Sequence, residues 1–114
     1  MKCWGANDTG QLGDGTTTSR FVPGWVSGLG AGAGVIDLSV GADHACAVTS
    51  SEEVLCWGRN NSSQLGDNTV TDRTSPVSPI GLTGVLSVSA GNGHTCVVTT
   101  TGYQAKCWGL NNYG

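Results

Sequence analysis

Charge is scarce in this chain. Only 11% of the 114 residues are Asp, Glu, Lys or Arg, and the five basic ones, Lys2, Arg20, Arg59, Arg73 and Lys106, are scattered. Holding a phosphate backbone takes clustered Lys and Arg, so with a net charge of −3 nucleic acid is not expected as a partner. Long apolar runs are missing too. No window holds 18 consecutive apolar residues, so no membrane span is expected. The opening MKCWGAND turns polar at once, without the apolar stretch of a signal peptide. Ala, Leu, Glu and Lys are too few for long helices. Only two histidines are present, and no GxSxG, HExxH or P-loop pattern occurs, so nothing announces catalysis.

Glycine, cysteine and repetition are what the chain does have: 19 Gly and five Cys. Cys-Trp-Gly occurs at Cys3, Cys56 and Cys107, with spacings of 53 and 51. Gln11-Leu12-Gly13-Asp14 returns as Gln64-Leu65-Gly66-Asp67, and Arg20 and Pro23 return as Arg73 and Pro76, each 53 residues on. GADHACAV (41–48) returns as GNGHTCVV (91–98) after 50. The length differences fall in GLGAGAGV against GLTGV and in TTTGYQAKC against TSSEEVLC, turn-like segments where insertions are tolerated. One repeat domain over 1–114 follows, with units of about 3–55 and 56–106 and a partial unit 107–114.

Each unit reads as short strands. VIDLSV (35–40) alternates apolar and polar residues with period two. Ala45–Thr49, a turn at Glu52 and Glu53, and Val54–Trp57 read as a hairpin. Gln-Leu-Gly-Asp-Gly reads as a tight loop. About 50 residues with up to four antiparallel strands make a propeller blade; a continuous β-solenoid, whose repeats are shorter, is the runner-up. The fold expected is therefore all-β, a β-propeller of which this chain supplies two full repeats and part of another.

The ordered pattern G-x-x-H-x-C-A-V, turn, C-W-G-x-N-x-x-x-Q-L-G-D, present more than once, resembles the regulator of chromosome condensation repeat family. Kelch repeats carry a Gly-Gly pair absent here, and WD repeats end in Trp-Asp where this chain has Trp-Gly. The resemblance implies a propeller, usually of seven blades, so the chain is expected to be a fragment of one. Symmetric association of copies through open propeller edges, or a stable two-blade piece, are the alternatives. The family's activities range from a nuclear exchange factor for a small GTPase, which binds chromatin, to bacterial secreted and surface proteins, so fold alone does not choose. Paired cysteines and little Lys are closer to the bacterial extracellular branch. The resemblance also implies that His44 and His94 are structural, each hydrogen-bonded to a neighbouring blade's backbone.

In the first hairpin Cys46 and Cys56 lie symmetrically about Ser51, so pairing Val48 with Val54 sets them opposite each other, within disulfide reach. Cys96 and Cys107 flank the equivalent hairpin, and Cys3 is left unpaired. Two such disulfides imply an oxidising compartment, hence an extracellular or cell-surface protein; five buried thiols in a cytosolic protein is the competing reading. His44, Cys46 and Cys56, or His94, Cys96 and Cys107, also count as three possible zinc ligands per unit, but CxxC spacing is lacking. Neither metal nor cofactor is expected.

Trp4, Trp57 and Trp108 recur with the repeat and are expected in the core or between blades; Leu12 and Leu65 are expected to fill blade cores, and Gln11 and Gln64 to satisfy loop backbone groups. Residues that do not recur are better candidates for function. Phe21 and Trp25 align with Thr74 and Ser78 of the other unit and read as loop residues after Arg20; Tyr103 lies in the longer hairpin turn and Tyr113 after the last Trp-Gly. Aromatics near Arg are frequent anchors of binding surfaces. The candidate surface is Phe21, Trp25, Tyr103 and Tyr113 with Arg20 and Arg59. The function expected is non-catalytic recognition of a protein or ligand by the loops of a secreted or cell-surface propeller, with a protein as the expected partner. An exchange factor for a small GTPase, or an enzyme using a propeller channel, are the alternatives.

Overall fold

The computed structural model describes residues 1–114 as nine strands and no helix. They are β1 (Lys2–Gly5), β2 (Arg20–Trp25), β3 (Val35–Val40), β4 (His44–Thr49), β5 (Val54–Gly58), β6 (Arg73–Val77), β7 (Val85–Ala90), β8 (His94–Thr99) and β9 (Ala105–Gly109). Three antiparallel sheets follow in chain order: β1-β2, β3-β4-β5-β6 and β7-β8-β9. Together they form a plate of 40 × 35 × 18 Å. The complete middle sheet runs from Val35 to Val77, so each Cys-to-Cys unit straddles two sheets: residues 3–55 supply the first sheet and then β3 and β4 of the second.

The hairpin register sets Val48 opposite Val54 and Cys46 opposite Cys56, and in the next hairpin Cys96 opposite Cys107. Both pairs are disulfide-bonded, with Cα atoms 4.1 Å apart, and Cys3 is a free thiol. Glu52 takes the left-handed turn of the first hairpin at φ 60°, and Tyr103 that of the second at φ 50°.

Strict alternation fails in VIDLSV. A bulge shifts the β3–β4 register between Val35 and Asp37, and the same bulge recurs between Val85 and Ser87. The extra residue turns Ile36 and Leu86 to solvent and lets Val85 and Val88, three apart, face the same neighbouring sheet.

β4 is buried along its whole length because both its faces are covered. Its cysteine face, Cys46 and Val48, packs with Val54, Cys56 and Leu65 against Val85, Val88 and Val97 of the third sheet. Its alanine face, Ala45 and Ala47, leaves room for Trp57 to pack with Val26 and Leu29 of the first unit. The period of two along β4 thus splits the interior into two cores, one on each side of the middle sheet. Leu12 is also buried.

Candidate binding surface

The long loops after Trp4-Gly5 and Trp57-Gly58 are held by their own side chains. Asn60 donates through Nδ2 to Asp67 Oδ1 (2.9 Å), Thr69 O and Thr71 O, and accepts the Leu65 N–H on Oδ1 (3.0 Å). Asp67 in turn accepts from the Thr69 hydroxyl (2.7 Å) and from Arg73 Nε (2.7 Å). Burial opposes ionisation of Asp67, but the hydrogen bonds from Thr69, Arg73 and Asn60 outweigh it and hold the carboxyl down at about 2. Asn7, Asp14, Thr16 and Arg20 repeat the arrangement 53 residues earlier, and at Asp14 the opposing effect of burial is again outweighed by hydrogen bonds from Thr16, Asn7 and Arg20, so its carboxyl is lowered. Arg20 and Arg59 are therefore engaged: Arg20 with Asp14 at 3.4 Å and Arg59 with Asp43 at 2.9 Å. Gln11 and Gln64 accept the N–H of Thr9 and Ser62 within their loops. The Asn and Asp of this clasp repeat at the spacing of the Gln-Leu-Gly motif, which was the signal available for them in the sequence.

Each loop then receives the tryptophan of the following unit. Trp57 Nε1 donates to Gln11 O and Trp108 Nε1 to Gln64 O, both at 2.9 Å. A Cβ on Gly13 would stand 2.7 Å from Trp57 Nε1, and one on Gly66 2.8 Å from Trp108 Nε1, with φ at +68° and +72°. Only glycine fits both the left-handed backbone and the indole. Trp57 is fully buried and Trp108 half-buried, but Trp4 is 61% exposed and does not lie in a core. The reason is geometric: the slot for each Trp is made by the preceding loop, and no such loop stands against Trp4.

His44 is buried, and its Nε2 lies 2.9 Å from Thr95 Oγ1 on β8. Thr95 spends its own proton on Gln64 O at 2.8 Å, so Nε2–H must be the donor to it. The imidazole thus bonds a side-chain hydroxyl of the neighbouring sheet, which relays to backbone, rather than the backbone itself. Nδ1 carries no proton and has no partner; it lies over Gly41, where a Cβ would come within 2.9 Å. Burial, then the proximity of His94, keeps His44 below its ordinary pKa, with Asp43 pulling the other way. His94, its counterpart, is exposed.

The aromatics fall into separate places. Phe21 and Trp25 are residues of strand β2, paired to β1, and not of a loop. Phe21 is 99% exposed, and Trp25, also exposed, carries the Lys2 ammonium 4.6 Å above its ring. With exposed Trp4 and Val22 they make the first sheet the most aromatic surface of the chain. Tyr103 and Tyr113 are exposed on the third sheet, beyond opposite ends of β9, so five strand residues, roughly 17 Å, separate them. The structure therefore groups Phe21 and Trp25, adds Trp4, and leaves the tyrosines and Arg59 apart.

Antiparallel sheets of up to four strands following one another face to face, with Trp57 and Trp108 each locked under the previous loop, define a β-propeller repeat protein. The chain belongs to the Regulator of chromosome condensation (RCC1) repeat family: family models of that repeat match residues 3–48 and 51–98, and 35–64 and 85–114. It is similar to human E3 ubiquitin-protein ligase HERC2 (36% identical, 97% of this chain and 2% of the relative) and to the Arabidopsis thaliana ultraviolet-B receptor UVR8 (35%, 97% and 25%). Among solved structures, human WBSCR16 superimposes with a TM-score of 0.79 at 27% identity over 96% of this chain and 27% of that one. Prp20p of Saccharomyces cerevisiae, described with its binding properties to Gsp1p and histones, does so at 0.81 and 24% identity over 99% and 29%. The chain spans a quarter or less of the length of these curated relatives.

Proposed function

We propose that the chain is a non-catalytic recognition module that binds a protein partner through the outer face of its first sheet. One observation carries the reading: Phe21 and Trp25 are exposed on β2, where the aligned positions of the next unit are Thr74 and Ser78. The repeated Trp57 and Trp108 are explained by packing, whereas Phe21 and Trp25 present large apolar area to solvent. Large aromatics beside a cation, here Lys2 over Trp25, supply contact area at low entropic cost. His44 is spent on Thr95, and Arg20 and Arg59 are ion-paired, which supports recognition over chemistry at these residues.

An extracellular or cell-surface setting, as in the bacterial branch of the family, accompanies this reading. Two cross-strand disulfides support an oxidising compartment. Thiol titration of the protein under denaturing, non-reducing conditions tests it: about one free thiol per chain is expected, and five would overturn it.

A photo-crosslinking residue at position 21 tests the surface. A discrete partner should be captured there, should not be captured from position 70 on the second unit's loop, and should be lost on Trp25→Ala. Equal labelling from both positions would refute the assignment.

A further inference from the structure

Three asparagines open an Asn-x-Ser/Thr triplet without proline: Asn7-Asp8-Thr9, Asn60-Asn61-Ser62 and Asn61-Ser62-Ser63. That triplet is the acceptor pattern for N-linked glycans. A chain rich in Asn, Ser and Thr supplies such triplets readily, and the fold decides which of them a glycan can use.

Asn7 and Asn60 are fully buried, each at the centre of its loop's clasp. Asn7 Nδ2 donates to Thr16 O (3.0 Å) and Thr18 O (3.1 Å), and its Oδ1 accepts the Leu12 N–H (2.8 Å). Asn60 makes the corresponding bonds with Thr69, Thr71 and Leu65. A sugar on either nitrogen would remove a clasping N–H and demand room inside the closed loop, so neither carries a glycan in the folded protein.

Asn61 lies one residue further on and is exposed. Gln64 sets its orientation. Gln64 Oε1 accepts the Ser62 N–H at 2.8 Å, which turns Gln64 Nε2 toward Asn61. Asn61 meets that donor with Oδ1, at 3.5 Å, and its Nδ2 is left free. The bond of this side chain therefore uses the oxygen, which glycosylation leaves in place, and not the nitrogen that would carry the sugar. Exposure belongs to the position rather than to this copy. Asp8 stands 53 residues earlier and takes the same bond from Gln11 Nε2 at 3.0 Å. It is exposed although the next unit presses on its loop, where Thr9 Oγ1 donates to Asp43 O and Trp57 Nε1 to Gln11 O.

We propose that Asn61 is the acceptor of an N-linked glycan. The proposal rests on the extracellular reading above, which takes the chain across a secretory membrane. The donor is a lipid-pyrophosphate-linked oligosaccharide. Asn61 Nδ2 bonds to the anomeric carbon of the sugar, the bond from that carbon to the pyrophosphate oxygen breaks, the lipid pyrophosphate leaves, and one amide proton passes to solvent. Transfer precedes closure of the loop, which holds Ser63, the third residue of the triplet, in a turn at φ 56° with its N–H on Asn60 O. A chain that takes the sugar on Asn60 instead does not close its clasp, so folded material carries it on Asn61 alone. With only 11% charged residues in the chain, and Val70 exposed on the same loop, the glycan supplies hydration that the side chains do not.

The test is to secrete the chain from a eukaryotic cell line behind a cleavable signal sequence, purify the folded protein, and map its glycans with a glycosidase that converts an occupied asparagine to aspartate. One glycan at position 61, and none at 7 or 60, is expected. Asn61→Asp places there the residue that the first unit carries at the same position, so the loop should fold and the glycan should be lost. Ser62→Ala, which disables only the Asn60 triplet, should keep it. Protein produced by the natural host should show the same glycosidase-sensitive mass shift. No glycan on the folded secreted chain, a glycan on Asn7 or Asn60, or a shift that survives in Asn61→Asp would each overturn the proposal. So would host-produced protein that holds both disulfides and no glycan. Host-produced protein with five free thiols would overturn the extracellular setting itself, and the site with it.

Discussion

Titrating the folded protein with dithiothreitol should open Cys96–Cys107 well before Cys46–Cys56. The two bonds close nearly identical hairpins, with sequence separations of 11 and 10, so local ring entropy does not distinguish them. Their surroundings do. Cys46 and Cys56 are sealed by Leu65, Val85, Val88 and Val97, whereas Cys107 is exposed and Cys96 half-buried. A thiolate reaches the first bond only when the second and third sheets part. An opening that bares just two of the four covering side chains costs about 3–6 kcal/mol, at ~1.5–3 each. At 1.4 kcal/mol per decade, reduction of Cys46–Cys56 should be roughly a hundredfold to ten-thousandfold slower. Pulse alkylation with mass-spectrometric counting of the four cysteines reads both rates in one sample. Equal rates, or Cys46–Cys56 reduced first, would mean that the sheets do not pack as described. Two variants check the cause: Val88→Ala should narrow the gap, and Val22→Ala, on the exposed first sheet, should not.

Further predictions rest on single contacts. Gly66→Ala drives a Cβ to 2.8 Å from the Trp108 indole at a positive φ, whereas Gly28→Ala meets nothing within 4 Å at a similar φ. The first should cost about 2–4 kcal/mol and the second about 1–2 kcal/mol in urea unfolding; equal costs would contradict the tryptophan slot. Thr95→Val leaves the His44 Nε2–H without its acceptor and should cost about 1–3 kcal/mol. His44 is lowered in the folded state, so the unfolded chain binds the proton first. That contribution is whole above the unfolded value of about 6.5 and is lost as pH falls from there through the depressed folded value; His44→Asn should flatten this limb of the stability curve. Asp67, at about 2 when folded, should contribute about 1–2 kcal/mol above pH ~4, after screening by solvent, and lose it as pH drops through 2.

Local pattern was enough for much of this architecture. Two copies of one motif in register, hairpins short enough to set Cys46 opposite Cys56 by counting from Ser51, and the absence of helical periodicity led to antiparallel sheets and to the repeat family. Each motif and each hairpin lies within about a dozen residues of chain, where turn chemistry and side-chain alternation decide the outcome. The bulge at Ile36 was not legible, because an extra strand residue leaves alternation intact on paper and only shifts which neighbour is faced. Phe21 and Trp25 were picked out as candidates because they do not repeat. Their position on a strand depends on pairing with β1, across the whole Asn7–Ser19 loop.

Tertiary structure alone separated residues that the repeat makes equivalent. Trp57 is buried and Trp4 is not; His44 reaches Thr95 while His94 faces water; Val88 is covered and Leu38 bare. The motif around each pair is nearly the same, so nothing local could tell them apart. Burial in a repeat protein is conferred by the adjacent sheet, and which sheet stands beside which is settled by packing between segments some fifty residues apart. The sequence by itself determined the shape of the unit and its sulfur pairing; only the arrangement of the units decided which copy of each residue is buried.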